Sequence, residues 1–263
     1  MRVALLLTGL ARKVEEGYIH YWKHIIENYD VDVYLQFWED EDYEKVLEIY
    51  NPIKYLQHKP FKFTEHRKGV TSHFANGMTE LEKLDDLSRP LVEYDVAGNF
   101  RGFPMFYSWQ QGYNLIEGEY DCIIRSRYDL GTSTPIKLEN LDLSKVNISA
   151  CHWGTSDVMD DNITITNQSF ADILFKDVFD EFVSYAKSYG RIYFQEHNFT
   201  KILHRKGLGE HICKTRDLPF NLLREMGLWY KEEKSDLKMI FCIFWLNVGP
   251  QTSEFDPGED LGV

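Results

Sequence analysis

Val3-Ala4-Leu5-Leu6-Leu7-Thr8-Gly9-Leu10-Ala11-Arg12 is the stretch that decides the fold. Five apolar residues run without a polar break and stop at Thr8-Gly9, a turn signal. An unbroken apolar run of strand length fits a strand buried on both faces, as in a parallel sheet covered by helices. Helical spacing follows within Arg12–Tyr29, at Val14, Tyr18, Tyr21, Trp22 and Ile25. A second strand is expected at Val31–Phe37, a short helix at Asp42–Tyr50, and a third strand at Ile53–Gln57 after Pro52. This alternation predicts an α/β fold with a doubly wound, parallel-rich sheet.

Residues 60–100 break the pattern. They are polar and charged, interrupted by Gly69, Gly77, Pro90 and Gly98, and fit either a functional lid or insertion or a surface loop. Pro104 opens a helix through Tyr107, Trp109, Gln110, Tyr113, Leu115 and Ile116. Strands are expected over Cys122–Arg127, Val146–Cys151 and Asn162–Thr166. A single helix is expected over Gln168–Ser188, with Phe170, Ile173, Leu174, Val178, Phe182 and Tyr185 as its buried stripe, and another over Phe194–Arg205. The tail from Ile212 mixes a strand, a short helix and the apolar run Met239–Leu246. We divide the chain into a catalytic domain over 1–215 and a C-terminal extension over 216–263 that packs on it.

With 29 basic and 42 acidic residues, the chain of 263 carries a net charge of -13. That excludes a broad basic footprint for nucleic acid, while a single small nucleotide stays compatible. Aromatic residues make up 15%, which suits core packing and stacking on a sugar or base. Cys122, Cys151, Cys213 and Cys242 are far apart and form no metal-binding or disulfide pattern. They read as buried thiols in a reducing compartment. The opening apolar run is too short for a leader or a membrane span, and so is Met239–Leu246. Both features lead to the expectation of a cytoplasmic chain.

Chemistry concentrates in Tyr120-Asp121-Cys122-Ile123-Ile124-Arg125-Ser126-Arg127-Tyr128-Asp129-Leu130-Gly131. In strand geometry Arg125, Arg127 and Asp129 point the same way. Two cations and an anion at a strand end need charged partners, supplied either by one another or by a phosphate and a metal ion. Thr8, Gly9 and Arg12 mark a second place. Ligands of doubly wound sheets bind outside the carboxyl ends of the strands. Backbone amides at a helix start hold a phosphate or a base edge, and the planar fork of Arg12 suits a diphosphate. A plain strand-to-helix turn would carry the same Gly9.

Taken together, Val3–Arg12, the helix around Tyr107-Ser108-Trp109, and Ile123-Ile124-Arg125-Ser126-Arg127-Tyr128-Asp129-Leu130 resemble viral and bacterial glycosyltransferases of the GT-A type. The resemblance covers roughly residues 1–205. It implies a GT-A-like catalytic domain, a nucleotide-diphospho-sugar donor and a glycan or other hydroxyl acceptor. Asp129 stands where the family has its Asp-x-Asp metal motif, which implies Mn²⁺ or Mg²⁺ at Asp129. Only the second acid of that motif is kept, so the arginines share the charge neutralisation. Met159-Asp160-Asp161-Asn162-Ile163-Thr164-Ile165 matches the family's acid-before-strand segment, making Asp157, Asp160 and Asp161 base or acceptor-binding candidates. His152-Trp153-Gly154 is a candidate acceptor wall. Gln195-Glu196-His197-Asn198 resembles the family's Pro-Glu helix start without the proline, which brings in Glu196 as a further candidate base.

Histidines give weaker signals. His197, His204 and His211 recur every seven residues, but Gly207 and Gly209 are expected to end the helix before His211. His20 and His24 have ligand spacing without a third ligand and read as surface histidines. Two other functions fit the same fold. A sugar nucleotidyltransferase would carry a glycine-rich first loop, whereas Leu7–Arg12 has Gly9 alone. A non-catalytic carbohydrate-binding or scaffold protein would tolerate the reduced Asp-x-Asp motif.

Overall fold

The computed structural model describes residues 1–39, 43–59, 61–72, 102–132, 136–149, 159–193, 195–215, 218 and 220–223. Its strands in chain order are β1 (Arg2–Gly9), β2 (Asp30–Trp38), β3 (Lys54–His58), β4 (Thr71–Ser72), β5 (Cys122–Ser126), β6 (Leu130–Thr132), β7 (Val146–Ser149), β8 (Thr164–Thr166), β9 (Arg191–Ile192), β10 (Ile212–Thr215) and β11 (Phe220–Leu222). The helices are α1 (Val14–Tyr21), α2 (Tyr43–Tyr50), α3 (Thr64–Arg67), α4 (Gly102–Tyr113), α5 (Gln168–Phe175), α6 (Val178–Tyr189) and α7 (Gln195–Arg205).

Seven strands form the central sheet in the order β10-β7-β8-β5-β1-β2-β3. All pairs are parallel except those of β8, which runs antiparallel to both β5 and β7. Alternation along β1 explains the two layers of helices. Ala4 and Leu6 face α4 and the cluster of Trp109, Phe106 and Phe182, while Val3, Leu5 and Leu7 face the cluster holding Val14, Tyr21, Val46 and Tyr128. Both sets are fully buried, as a central strand of a doubly wound sheet requires. The α/β class with a parallel-rich sheet flanked by helices, expected from the sequence, is the one found.

Local differences have physical causes. The helix expected over Gln168–Ser188 is two helices, α5 and α6. Asp177 between them takes a non-helical backbone (φ -136°, ψ 25°). Lys206 Nζ draws the chain together there, donating to the Ile173 carbonyl at 2.9 Å and to the Asp177 carboxylate. The first helix also ends early, and Trp22–Ile26 continues it as a π-helix. Residues 61–72 are not an irregular loop. Phe61 and Phe63 pack on Trp38, Tyr107 and each other, and Phe63 also meets Phe179. His24 is no surface residue either: it is 4% exposed, and burial holds its imidazole below the usual pKa.

The chain divides into a compact unit Met1–Leu223 and a second unit Arg224–Val263. The second unit lies outside the described residues, as do residues 73–100, His152-Trp153-Gly154, Asp157 and the run Met239–Leu246. β11 pairs antiparallel with β6 and so belongs with the first unit. Cys122 is buried and Cys213 half-buried, both as free thiols. Among the described residues no helix is long and apolar enough to cross a membrane.

Candidate functional site

The reversed strand β8 builds the site. Because it runs against its neighbours, its first residues lie at the same edge of the sheet as the last residues of β5 and β1. The segment before β8, Met159–Asn162, therefore meets the Arg-Ser-Arg segment that ends β5.

Alternation along β5 sends Arg125 and Ser126 to opposite faces. Ser126 Oγ meets the Tyr21 hydroxyl of α1 at 2.8 Å, and that hydroxyl also donates to the Arg127 carbonyl at 2.5 Å. Arg125 turns under α4, where its guanidinium lies 3.6 Å from the centre of the Trp109 ring. It is 2% exposed, and its Nη1 donates to the backbone carbonyl of Asp161. Burial lowers its pKa to about 9, against the opposing pull of Asp161.

Arg127 leaves the strand and closes on Asp129 as a two-bond fork, Nε to Oδ1 at 2.8 Å and Nη2 to Oδ2 at 3.0 Å. Its Nη1 reaches Asn162 Oδ1 at 3.4 Å. Burial is the largest single influence and works against the Arg127 cation, but the charge and hydrogen bonds of Asp129 together with the charge of Asp161 outweigh it, and the pKa is raised. Both arginines thus reach the Met159–Asn162 turn, one through its backbone and one through a side chain. The turn is closed by its own Asp160, whose Oδ1 accepts from the Asn162 amide at 2.8 Å.

From the other side, α7 holds the same turn. Thr200 Oγ1 accepts from the Met159 amide at 2.9 Å and donates to the Glu196 carbonyl at 2.7 Å. Asn198 pins the start of the helix, accepting from the Tyr193 amide at 3.0 Å and donating to the Tyr193 carbonyl at 2.7 Å. Glu196 consequently faces the acidic turn. Burial, then the charges of Asp161 and Asp160, push its carboxyl up to about 7, while Arg127 pulls the other way. A hydrogen bond from its own backbone amide also works against the rise.

The structure therefore gathers Arg125, Arg127, Asp129, Asp160, Asp161 and Glu196 in one place. Thr8, Gly9 and Arg12 end the neighbouring strand and its turn. Gly9 takes φ +106°, a conformation that glycine tolerates best. Its amide already donates to Gln36 Oε1 at 3.2 Å. Thr8 is buried beneath α4, where Gly112 lets the helix approach. Arg12 is half-buried and has no ion-pair partner among the described residues. The start of α1 is occupied by its own Glu15 and Glu16, which disfavours an anion at that helix end.

A divalent ion at Asp129 was implied by the resemblance. Both Asp129 oxygens are held by Arg127. Among the described residues, no three His, Cys, Asp or Glu side chains converge on a metal position. An ion at Asp129 would have to share the carboxylate oxygens that Arg127 holds. The histidines are engaged elsewhere: His211 packs on Phe170, His197 on Tyr193, and His20 Nδ1 lies 2.9 Å from the Thr132 carbonyl.

Trp109, Tyr21, Gln36, Asn162 and Thr200 were not foreseen as site residues. Gln36 carried a signal, a lone amide inside the apolar run Tyr34-Leu35-Gln36-Phe37. The other four act through contacts between distant segments, which no local pattern announces.

No family model matches the chain, and no curated protein matches it in sequence. Among solved structures it is similar to the glycosyltransferase GlyE of Streptococcus pneumoniae TIGR4, with 13% identity and a TM-score of 0.44 over 82% of this chain and 45% of that one. It is also similar to mouse xyloside xylosyltransferase 1 in its apo form, with 10% identity and a TM-score of 0.38 over 81% of this chain and 84% of that one. The chain spans a little under half the length of the first. Both TM-scores are low, and neither likeness bears on what the site does.

Proposed function

We propose that the protein is a GT-A-type glycosyltransferase that moves a sugar from a nucleotide-diphospho-sugar donor to a hydroxyl of a glycan or other acceptor. The observation that carries this is the pairing, at the carboxyl edge of a parallel sheet, of an arginine-rich strand end with the carboxylates of Asp161 and Glu196. Such edges are where doubly wound sheets bind ligands. A diphosphate leaving group needs cations, and an acceptor hydroxyl needs a base.

In this scheme Arg12 and Arg127 bind the donor diphosphate. Thr8 and Gly9 form the floor of the donor site. The acceptor oxygen bonds to the anomeric carbon as the bond from that carbon to the phosphate oxygen breaks. The electron pair leaves with the nucleoside diphosphate, whose charge the guanidinium groups offset. The acceptor proton passes to Glu196. A carboxylate with a pKa of about 7 is well matched to that task near neutral pH. Asp160 and Asp161 keep the Glu196 pKa high and face the acceptor. No step is routed through a metal.

The test is a thermal-shift panel of UDP, GDP, CDP and dTDP, each with and without Mn²⁺, on wild type and Asp129→Asn. Binding to the folded state alone stabilises by about 2.7 kcal/mol at a hundredfold excess over Kd. The expected result is a rise in Tm with one nucleotide, present without Mn²⁺. A shift that requires Mn²⁺ would restore a metal to Asp129. No shift with any nucleotide would remove the donor and leave a carbohydrate-binding module.

A further inference from the structure

Arg125 is the residue whose surroundings depart furthest from the sequence expectation. The sequence pairs it with Arg127 as a cation that offsets phosphate charge, yet the two do different things. Arg127 spends its fork on a carboxylate and remains 29% exposed at the side chain. Arg125 is sealed under α4, stacked on Trp109, and directs its one recorded hydrogen bond to a main-chain oxygen. Its Nε finds no partner among the described residues. A guanidinium sandwiched between an indole and a peptide carbonyl has little surface left for a phosphate.

The carbonyl it grips belongs to Asp161. The same short turn is tied to α7 through Thr200 and to β5 through Arg127 and Asn162. Among these ties, Arg125 is the only one that acts on Asp161 itself. Removing it frees the residue whose charge acts most strongly on Glu196.

We propose that Arg125 is a positioning residue. Braced by Trp109, it fixes the Asp161 backbone and so sets where the Asp161 carboxylate stands relative to Glu196, without touching the donor. This rests on the glycosyltransferase reading for its functional meaning, but not for its test. The charged groups acting on Glu196 are Asp161 and Asp160 from the turn and Arg127 from the end of β5, with Tyr193 and His197 adjacent on its own segment. Two roles for Arg125 predict opposite signs. If it acts on Glu196 only as a nearby cation, its loss raises the Glu196 midpoint. If it holds Asp161 in place, its loss lets that anion move off and the midpoint falls.

The experiment is a ¹³C NMR titration of the full chain labelled at glutamate carboxyls, with Glu196→Gln assigning the resonance. The expected result for Arg125→Met is a fall in the Glu196 midpoint of about one pH unit or more. In parallel, affinity for UDP, GDP, CDP and dTDP stays within about threefold of wild type. An unchanged or raised midpoint overturns the proposal, as does a tenfold loss of nucleotide affinity with Glu196 unmoved. Should Arg125→Met fail to fold, Arg125→Lys keeps a cation but loses the planar donor. A fall in its midpoint then reports the turn alone, and an unchanged midpoint refutes the role. If wild type binds none of the nucleotides, the transferase reading fails while the titration still decides what Arg125 does.

Discussion

Asp129→Asn removes one charge and keeps the side-chain shape, so it isolates the Arg127–Asp129 fork. The two bonds are 2.8 and 3.0 Å long, and side-chain exposure is 29% for Arg127 and 4% for Asp129. Breaking a buried pair by deleting one partner costs about 3–5 kcal/mol, because the survivor is left uncompensated. Exposed pairs are worth about 0–1 kcal/mol. A buried carboxylate with a partly wet guanidinium falls between these limits, at about 2–3 kcal/mol. For a chain of this size, each kcal/mol moves Tm by about 2–4 °C, so a fall of roughly 4–12 °C is expected. Arg127→Met strands the carboxylate instead and should cost a similar amount. The double variant leaves no unpaired charge, so the two losses should not add, with a coupling of about 2 kcal/mol in the cycle. Urea denaturation of the four proteins at 25 °C measures this directly. Single losses below about 0.5 kcal/mol, or strict additivity, would refute a fork held in solution.

Further expectations follow from the same geometry. Glu196 is raised from 4.5 to about 7 in the folded protein, so the native state holds its proton over a range where the unfolded chain has lost it. Stability contributed this way is complete below about pH 4.5 and is lost as pH rises through 7. Glu196→Gln should flatten that slope in pH-dependent unfolding, and an unchanged slope would assign it to other groups. Gly17→Ala should destabilise by about 1–3 kcal/mol in urea, because a Cβ there would run into the Tyr128 carbonyl; a stabilised variant would show that α1 can shift. Burial pushes the Cys122 thiol up to about 12, so iodoacetamide at pH 8 followed by peptide mapping should leave Cys122 unmodified while half-buried Cys213 reacts.

The parts of the fold that depend on local pattern were legible in the sequence. The apolar run Val3–Leu7 and the mostly apolar stretch Val31–Phe37 mark β1 and β2, because a strand covered on both faces leaves little room for polar residues; Gln36, buried there, accepts from the Gly9 amide through its side-chain oxygen. The break between α5 and α6 was not legible: Asp177 leaves the helical backbone there, and the Lys206 that bonds to Ile173 and Asp177 is distant in sequence. The core role of Phe61 and Phe63 was hidden for a similar reason: their partners lie on β2, α4 and α6, and the polar residues around them dominate any window. At the site, residue types and neighbourhood were readable while assignments were not. Arg125 and Arg127 are two positions apart on an extended chain, and their alternation says that they share a face. It does not say that a tryptophan from α4 will claim one and an aspartate the other.

The reversed strand β8 has a consequence for how this protein can diversify. In a wholly parallel sheet, every loop at the working edge follows a strand end and leads into a crossover. Here one loop arrives at that edge from the opposite direction. The arginine-bearing segment that ends β5 and the acidic segment that begins β8 belong to separate stretches of chain, joined by side-chain bonds and not by shared backbone. Insertions ahead of Met159 can therefore reshape what the acidic side presents while the arginine side keeps its geometry. Two halves of one chemistry become free to vary at different rates, with the grip of Arg125 and Arg127 on the turn as the constraint that keeps them in step.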